Sequence, residues 1–534
     1  RNCIIMWTRK NSLQNFRCFP ILFAFPVFLF YFGFPHPIEA DSLQPTLFDF
    51  QDTGIPDPNV PAISPWKIVP LDPDYGGMWI VAGDVNQDGE VDFISAENFN
   101  QDDVHDTSAV VAQTLDGQVL WQWGDPNRGR KEWFHDVACQ IYDWDGDGKN
   151  EVILATRGFL VELDGTTGKE RRRIPIPEDA TDCIVFCNLS GRTHPSDILV
   201  KDRYRQIWAY NEEGKLLWTI RDPAGYRTAH QPYPIDLDGD GKDEIMAGYA
   251  MLNADGSIRW VYKSEKVNLN QGHLDCCRVF ARGSEPGQFR LVLSCCGANN
   301  LAMLDGNGNV IWEQSGFHFE SIKVGRMDPQ RKEPGILVDI DHQPQGKSPL
   351  WRMDGEGNLV GRIVTDYSRH HALIDWTGDG VQEILSAYNR GMYNHEGKRI
   401  ATFEMPNPPG DPISTEQSIL IGDMTGDGIP DYFQLAILGA ALCAGDPEIT
   451  AQFEHNTTEF ANLIEALRGL VNVVNTLNPA LENAMNAVDT WSQSLSPGYL
   501  RDDAEYLVWM MQNTDDAIGT YVAQYGPIIL NTLP

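Results

Sequence analysis

Residues 139–155 read CQIYDWDGDGKNEVILA, and this stretch decides the fold. Two short apolar runs, CQIY and EVILA, flank a nine-residue loop from Asp143 to Glu151. The runs are short, β-branched and aromatic, so each reads as a strand. Within the loop, carboxylates at positions 1, 3 and 5 precede a glycine at position 6, and Glu151 closes the pattern at position 9. Oxygen donors at alternate positions around a glycine let the chain curl about a hard cation, and Ca²⁺ is the expected ion. An EF-hand would instead place its last ligand at position 12 between helices.

The pattern D-x-[DNT]-x-D-G-x-x-[DE] recurs along the chain. Its expected ligand sets are Asp84, Asn86, Asp88 and Asp92; Asp143, Asp145, Asp147 and Glu151; Asp236, Asp238, Asp240 and Glu244; Asp375, Thr377, Asp379 and Glu383; and Asp423, Thr425, Asp427 and Asp431. Degenerate copies begin near Asn188, Phe280 and Arg326, each followed by a strand-like run such as RLVLS. Successive copies start 44 to 59 residues apart, close to the length of four strands with their turns. Hairpin turns interleave with the loops: LDGQVLW from Leu115, LDGTTGK from Leu163, YNEEGKLLW from Tyr210, LNADGSIRW from Leu252, LDGNGNVIW from Leu304, MDGEGNLV from Met353 and YNHEGKRI from Tyr393. The predicted fold is therefore all-β, an eight-bladed β-propeller with calcium loops over residues 75–434, followed by an α-helical C-terminal segment.

The flanks read differently. A basic stretch with Arg9, Lys10 and Arg17 precedes the apolar run Ile21 to Phe34, so residues 1–40 are expected to be a signal peptide region, cleaved after Ala40. That run, broken by Pro26, is too short to span a bilayer comfortably, which predicts a secreted or periplasmic protein with no stable membrane insertion. Residues 41–74 read as a linker, in which Trp66 to Val69 offers a strand able to complete the last blade. Beyond residue 434 the pattern stops, and Phe460, Leu463, Ile464, Leu467, Leu470, Val471 and Val474 recur at helical spacing. Residues 435–534 are thus an α-helical tail of uncertain origin, either an accessory domain or the replacement of a lost blade.

Aspartate loops between strands, repeated about eight times, resemble FG-GAP-type repeats. More narrowly, the chain resembles the calcium propellers of rhamnogalacturonan lyase family 11 and related ulvan lyases, over roughly residues 75 to 434. The loop motif is shared with adhesion propellers, so it specifies fold and not activity. The resemblance implies a secreted polysaccharide lyase that cleaves a uronate-containing polysaccharide, of rhamnogalacturonan or ulvan type, by β-elimination.

Propeller geometry places the residues just before each loop-bearing hairpin around the central channel. That slot holds His135-Asp136, Asp182, His230, His273 with Asp275, His318 with Glu320, His370-His371 and Glu416. The exits of the second strands add Arg157, the stretch KDRYR from Lys201 to Arg205, Tyr249, Asp339, and Tyr388 to Arg390. His135, His230, His273, His318, His371 and Tyr249 are the candidates for proton transfer. Arg157, Arg203, Arg205, Arg227 and Arg390 are the candidates for holding a carboxylated substrate, because their fork matches carboxylate geometry.

A formal charge of −34 argues against nucleic acid as a partner and leaves an acidic polysaccharide dependent on local cationic groups. A non-catalytic calcium propeller for adhesion or glycan binding is the alternative, and a quinone-dependent dehydrogenase ranks below it. The chain is expected to be monomeric. Cys276-Cys277 and Cys295-Cys296 are expected on adjacent strands, which predicts a vicinal or cross-strand disulfide.

Overall fold

The computed structural model describes residues 2–7, 48–51, 59–404 apart from short gaps (78, 102–103, 130–136, 342–347, 366–367 and 369–370), 419–422 and 430–437. Of the predicted helical segment 435–534, residues 435–437 instead continue a strand and the rest lies outside the described residues. The described strands form eight sheets in a propeller-like arrangement, six of four strands and two of five, with antiparallel pairing except where Phe48–Gln51 and Ala62–Ile63 add in parallel to the sixth and seventh. In the second sheet, Cys139–Tyr142, Glu151–Thr156, Phe159–Asp164 and Glu170–Pro175 follow one another as a meander. The aspartate loop joins its first two strands, where Glu151 pairs with Tyr142. The third to seventh sheets repeat this order, with first strands Cys183–Cys187, Thr228–Ile235, His273–Ala281, His318–Gly325 and His371–Ile374.

The eighth sheet joins segments from both ends of the described residues, in the order Ile419–Gly422, Asp431–Ile437, Asn2–Trp7, Lys67–Pro70. Residues 2–7 lie inside the span read as a signal region, and here they pair antiparallel with residues 432–437 on one side and 67–70 on the other. The outer strand reaches the first sheet: Gln113 Nε2 donates to the Pro70 carbonyl at 3.2 Å, and Lys67 pairs with Asp116.

Second strands such as Glu151–Thr156 and Glu244–Gly248 are buried along their whole length, as expected of strands covered on both faces. Apolar side chains of successive sheets interlock there. One cluster joins Met246, Met251 and Tyr262 of the fourth sheet to Leu274, Leu291 and Leu304 of the fifth, and comparable clusters join the other neighbours from the first sheet through the seventh.

A latch recurs at the rim. Trp260, ending the turn motif of the fourth sheet, lies over Gly308 in the hairpin of the fifth, and its indole N–H donates to the Gly306 carbonyl at 3.0 Å. Gly308 has φ +83°, and a Cβ there would stand 2.6 Å from the Trp260 ring, so only glycine fits. Trp121, Trp218 and Trp312 donate to the matching carbonyls of Gly165, Ala254 and Gly355. Where tryptophan is absent, Arg172 and Arg352 reach the equivalent carbonyls of Glu212 and His395. Trp260→Ala is expected to destabilise the fold by roughly 3 kcal/mol, the low end for loss of a packed indole. Chemical denaturation checks this, and a change within error would remove the latch from the account of stability.

The disulfide expectation is corrected. Across the fifth sheet Cys276 faces Ser294, Cys277 faces Leu293 and Cys295 faces Leu274, so the register keeps the two pairs apart. Cys139, Cys183, Cys187, Cys276, Cys277, Cys295 and Cys296 form no disulfide.

Candidate functional site

Three successive first strands carry a register shift near their start. It falls between Thr228 and Tyr233 in the fourth sheet, between Leu274 and Cys276 in the fifth, and between Phe319 and Ile322 in the sixth. A bulge puts extra residues on one strand and re-aims their side chains. The consequence is a cavity of about 1080 Å³ into which these strands project polar groups instead of the usual apolar alternation. His230, His273, Asp275, Glu320 and His371 line it, with Arg203 and Tyr204 from the third sheet and Arg278 and Lys323 further along the strands.

Tyr204 is the hub of one wall. Its ring lies 4.4 Å from that of His273 and 5.9 Å from that of His230, and the two imidazoles are 5.9 Å apart. Three cations approach the same ring: Arg203 at 5.1 Å, Lys201 at 5.7 Å and Arg227 at 6.0 Å. Lys201 is fully buried, which is tolerable because Asp182 pairs with it. Arg203 lies 3.0 Å from the same carboxylate, so Asp182 fixes both cations.

Burial, reinforced by neighbouring His230, pushes the His273 imidazole down to about 3, so it is neutral across the physiological range. Burial also lowers Lys323, with Arg278 beside it acting in the same direction. Cations thus crowd the cavity wall although the chain as a whole is strongly acidic.

The structure sorts the predicted residues. His230, His273, His371 and Arg203 line the cavity, and Arg227 stands behind Tyr204. His318 sits one layer back, with Nε2 2.8 Å from Glu320 Oε1 and 3.1 Å from Cys296 Sγ. Tyr249 is not on the cavity. It is fully buried between sheets against Tyr226 and Tyr262, and burial raises its phenol well above the ordinary range. Arg205 and Arg157 point outward, 60% and 56% exposed, toward Asp222 and Glu178. Arg390 occupies a left-handed turn at φ 52° and is not among the cavity residues. His135 lies outside the described residues.

Arg278, Lys323 and Cys296 were not anticipated. Alternation through HLDCCR and HFESIK could have found the first two only with the bulges known.

The aspartate loops share one hydrogen-bond scheme. In the loop at Asp143, the Gly148 N–H donates to Asp143 Oδ2 at 3.0 Å, the Asp147 N–H to Asp145 at 3.1 Å, and the Trp144 N–H to Glu151 at 2.9 Å. The loops at Asp84, Asp236 and Asp375 repeat the glycine bond and the bond from the second residue to the ninth carboxylate. Asp143, Asp145 and Glu151 bring oxygens within 4.8 Å of one another, as do Asp236, Asp238 and Glu244. Asp143 Oδ1 is buried and accepts no hydrogen bond among the described residues, which fits a cation ligand. Arg171 and Arg259 neutralise part of the same carboxylate groups. In the fourth loop, Thr377 Oγ1 donates to Glu383 at 2.9 Å instead. Asp423, Thr425 and Asp427 lie outside the described residues, and Asp431 begins a strand.

Burial pushes the ninth-position carboxyls up, Asp92 to about 6 and Glu151 to about 7, against N–H donors that pull the other way. A metal-free fold therefore holds extra protons, and this contribution to stability is lost as pH rises through about 6 to 7. Calcium needs the ionised groups, so the gain in melting temperature on adding calcium is expected to grow over that same window. Paired melts with calcium and with chelator across pH check this. A pH-independent difference would contradict it.

No family model matches the chain. Over 416 residues it is 27% identical to the rhamnogalacturonan endolyase YesW of Bacillus subtilis, an alignment covering 62% of this chain and 63% of that protein. The rhamnogalacturonan exolyase YesX of the same organism is 25% identical over 383 residues, covering 57% of this chain and 58% of YesX. A solved rhamnogalacturonan lyase of Bacillus licheniformis superposes with a TM-score of 0.49 at 18% identity, over 69% of this chain and 74% of that one. The chain is thus similar in sequence to two rhamnogalacturonan lyases and spans less than two thirds of the length of either.

Proposed function

We propose that the chain is an exported, calcium-stabilised polysaccharide lyase of eight FG-GAP-type blades that cleaves a rhamnogalacturonan-type polymer by β-elimination. The observation that carries this reading is the cavity wall itself, where Tyr204, His230 and His273 meet among Arg203, Arg227 and Lys201. The sequence similarity to rhamnogalacturonan lyases supports the choice of substrate class.

The chemistry follows from the groups present. Arg203, with Arg278 and Lys323 across the cavity, neutralises the uronate carboxylate and so lowers the energy of the carbanion formed at C5. His230 takes the C5 proton. The C4–O bond then breaks, a C4=C5 double bond forms in conjugation with the carboxylate, and the Tyr204 hydroxyl protonates the leaving oxygen. The reacting carbons are adjacent, and rings 5.9 Å apart can address both. His273 is held neutral, so it orients Tyr204 through a tilted ring contact and adds no repulsion to the cations around it. Bound calcium would supply stability to the loops and lies outside these steps.

The test is ultraviolet absorbance of unsaturated uronate while purified, calcium-loaded protein is incubated with rhamnogalacturonan. A steady rise is expected. No rise with a folded protein, combined with retention of the polymer on the immobilised chain, would replace the lyase by a glycan-binding propeller.

A further inference from the structure

The back of the cavity holds a second constellation that proton transfer does not use. Cys296, His318 and Glu320 bring one sulfur, one ring nitrogen and one carboxylate oxygen within 4.8 Å of one another. The pairwise distances are 3.1 Å from Cys296 Sγ to His318 Nε2, 3.5 Å from the sulfur to Glu320 Oε1, and 2.8 Å from His318 Nε2 to that oxygen. His273 and Asp275 form an equivalent group with the same sulfur, on its cavity side. The backbone explains the convergence. Cys296 ends the second strand of the fifth sheet directly opposite His273, and the bulge after Phe319 turns Glu320 toward the neighbouring sheet.

His318 and Glu320 side chains are only 7% and 8% exposed. Burying a carboxylate beside an imidazole and a thiol is costly in an ordinary core, and such a group is stabilised when it coordinates a cation. The other cysteines of this sheet behave as core residues. Cys277 and Cys295 sit among apolar side chains, and burial pushes their thiols up.

We propose that Cys296, His318 and Glu320 bind a borderline-soft divalent cation of the Zn²⁺ class, with its fourth position open toward His273, Asp275 and the cavity. The donor set decides the class. Calcium and magnesium take oxygen ligands, as in the aspartate loops, whereas mixed sulfur, nitrogen and oxygen donors in three protein positions suit zinc with one exchangeable site. The proposal is independent of whether the cavity accepts a polysaccharide.

Cobalt(II) is the probe, added to the full calcium-loaded chain after removal of transition metals. Wild type is expected to take up one Co²⁺ with an intense near-ultraviolet thiolate-to-cobalt band and visible bands of low-symmetry cobalt, and one equivalent of Zn²⁺ should abolish them. Cys296→Ser should lose the thiolate band, while Cys277→Ser should keep it. Glu320→Gln, which preserves volume, should keep the band and weaken cobalt binding at least tenfold. Absence of the band in folded wild type overturns the proposal without any variant, and so does a band undiminished in Cys296→Ser.

Discussion

His230→Ala is expected to slow formation of unsaturated uronate by roughly 10²–10⁴-fold, the range lost when a positioned acid–base group is removed. The residue projects from a bulge and not from a regular strand, so truncating it removes the imidazole without opening the core between sheets. Its melting temperature should therefore stay near wild type, which separates a catalytic loss from a folding one. Tyr204→Phe keeps the ring that packs against His273 and deletes only the hydroxyl, so kcat should fall while KM changes little. Arg203→Ala should instead raise KM as well, because it removes the charge that holds the carboxylate. Arg205→Ala serves as the control: it pairs with Asp222 at the exposed rim and should leave both constants within about twofold, as expected of exposed surface pairs. Initial rates on rhamnogalacturonan decide the matter. A His230→Ala rate equal to wild type would exclude His230 as the base.

Chelating calcium is expected to have the larger effect on the fold. A ligand present at a thousand times its dissociation constant stabilises by about 4 kcal/mol per site, so emptying several loops would exceed the roughly 5–15 kcal/mol that holds a typical domain together. The loops at Asp143 and Asp236 should dominate, since each offers carboxylates at positions 1, 3 and 9, whereas Asn86 and Thr377 replace the third-position carboxylate elsewhere. Asp236→Ala alone should lower the melting temperature in calcium and bring it closer to the value in chelator. A calcium-selective chelator should be used, which leaves any thiolate-bound metal in place. An unchanged melting curve would show that the hydrogen-bond scheme and the Arg171 and Arg259 pairs hold the loops without an ion.

The repeat was legible because its constraints are local. An aspartate loop needs particular residues at fixed offsets, and a hairpin of positive φ needs glycine, so both survive as patterns in one sequence. His230, His273 and His371 share one slot a few residues before a full or degenerate loop, and the structure brings these three to one cavity. What failed was anything dependent on register. Arg278 and Lys323 reach the cavity only because bulges shift the alternation ahead of them. Tyr249 was read as a strand exit facing the channel, but the link from Glu244–Gly248 to Ala250–Leu252 is so tight that the ring turns into the core between sheets. The cysteine pairs were placed on the correct neighbouring strands, and an offset across the ladder separates them. Arg157 and Arg205 matched the required chemistry, and their backbone positions send them to the rim.

The rim latches divide the molecule in a way that neither the repeat nor the cavity reveals. Each latch couples one sheet to the next only, so the array behaves as a nearest-neighbour chain whose weakest links set where it opens. Indoles close three consecutive seams from the third sheet to the sixth, through Trp218, Trp260 and Trp312. At the equivalent hairpin positions on either side the latch is a guanidinium, Arg172 or Arg352, and these lean on Glu162 and Asp328. Strong acid protonates those carboxylates and leaves the indoles untouched. The third to sixth sheets, which carry Tyr204, His230, His273 and Glu320, are thus tied to one another by three latches that do not titrate.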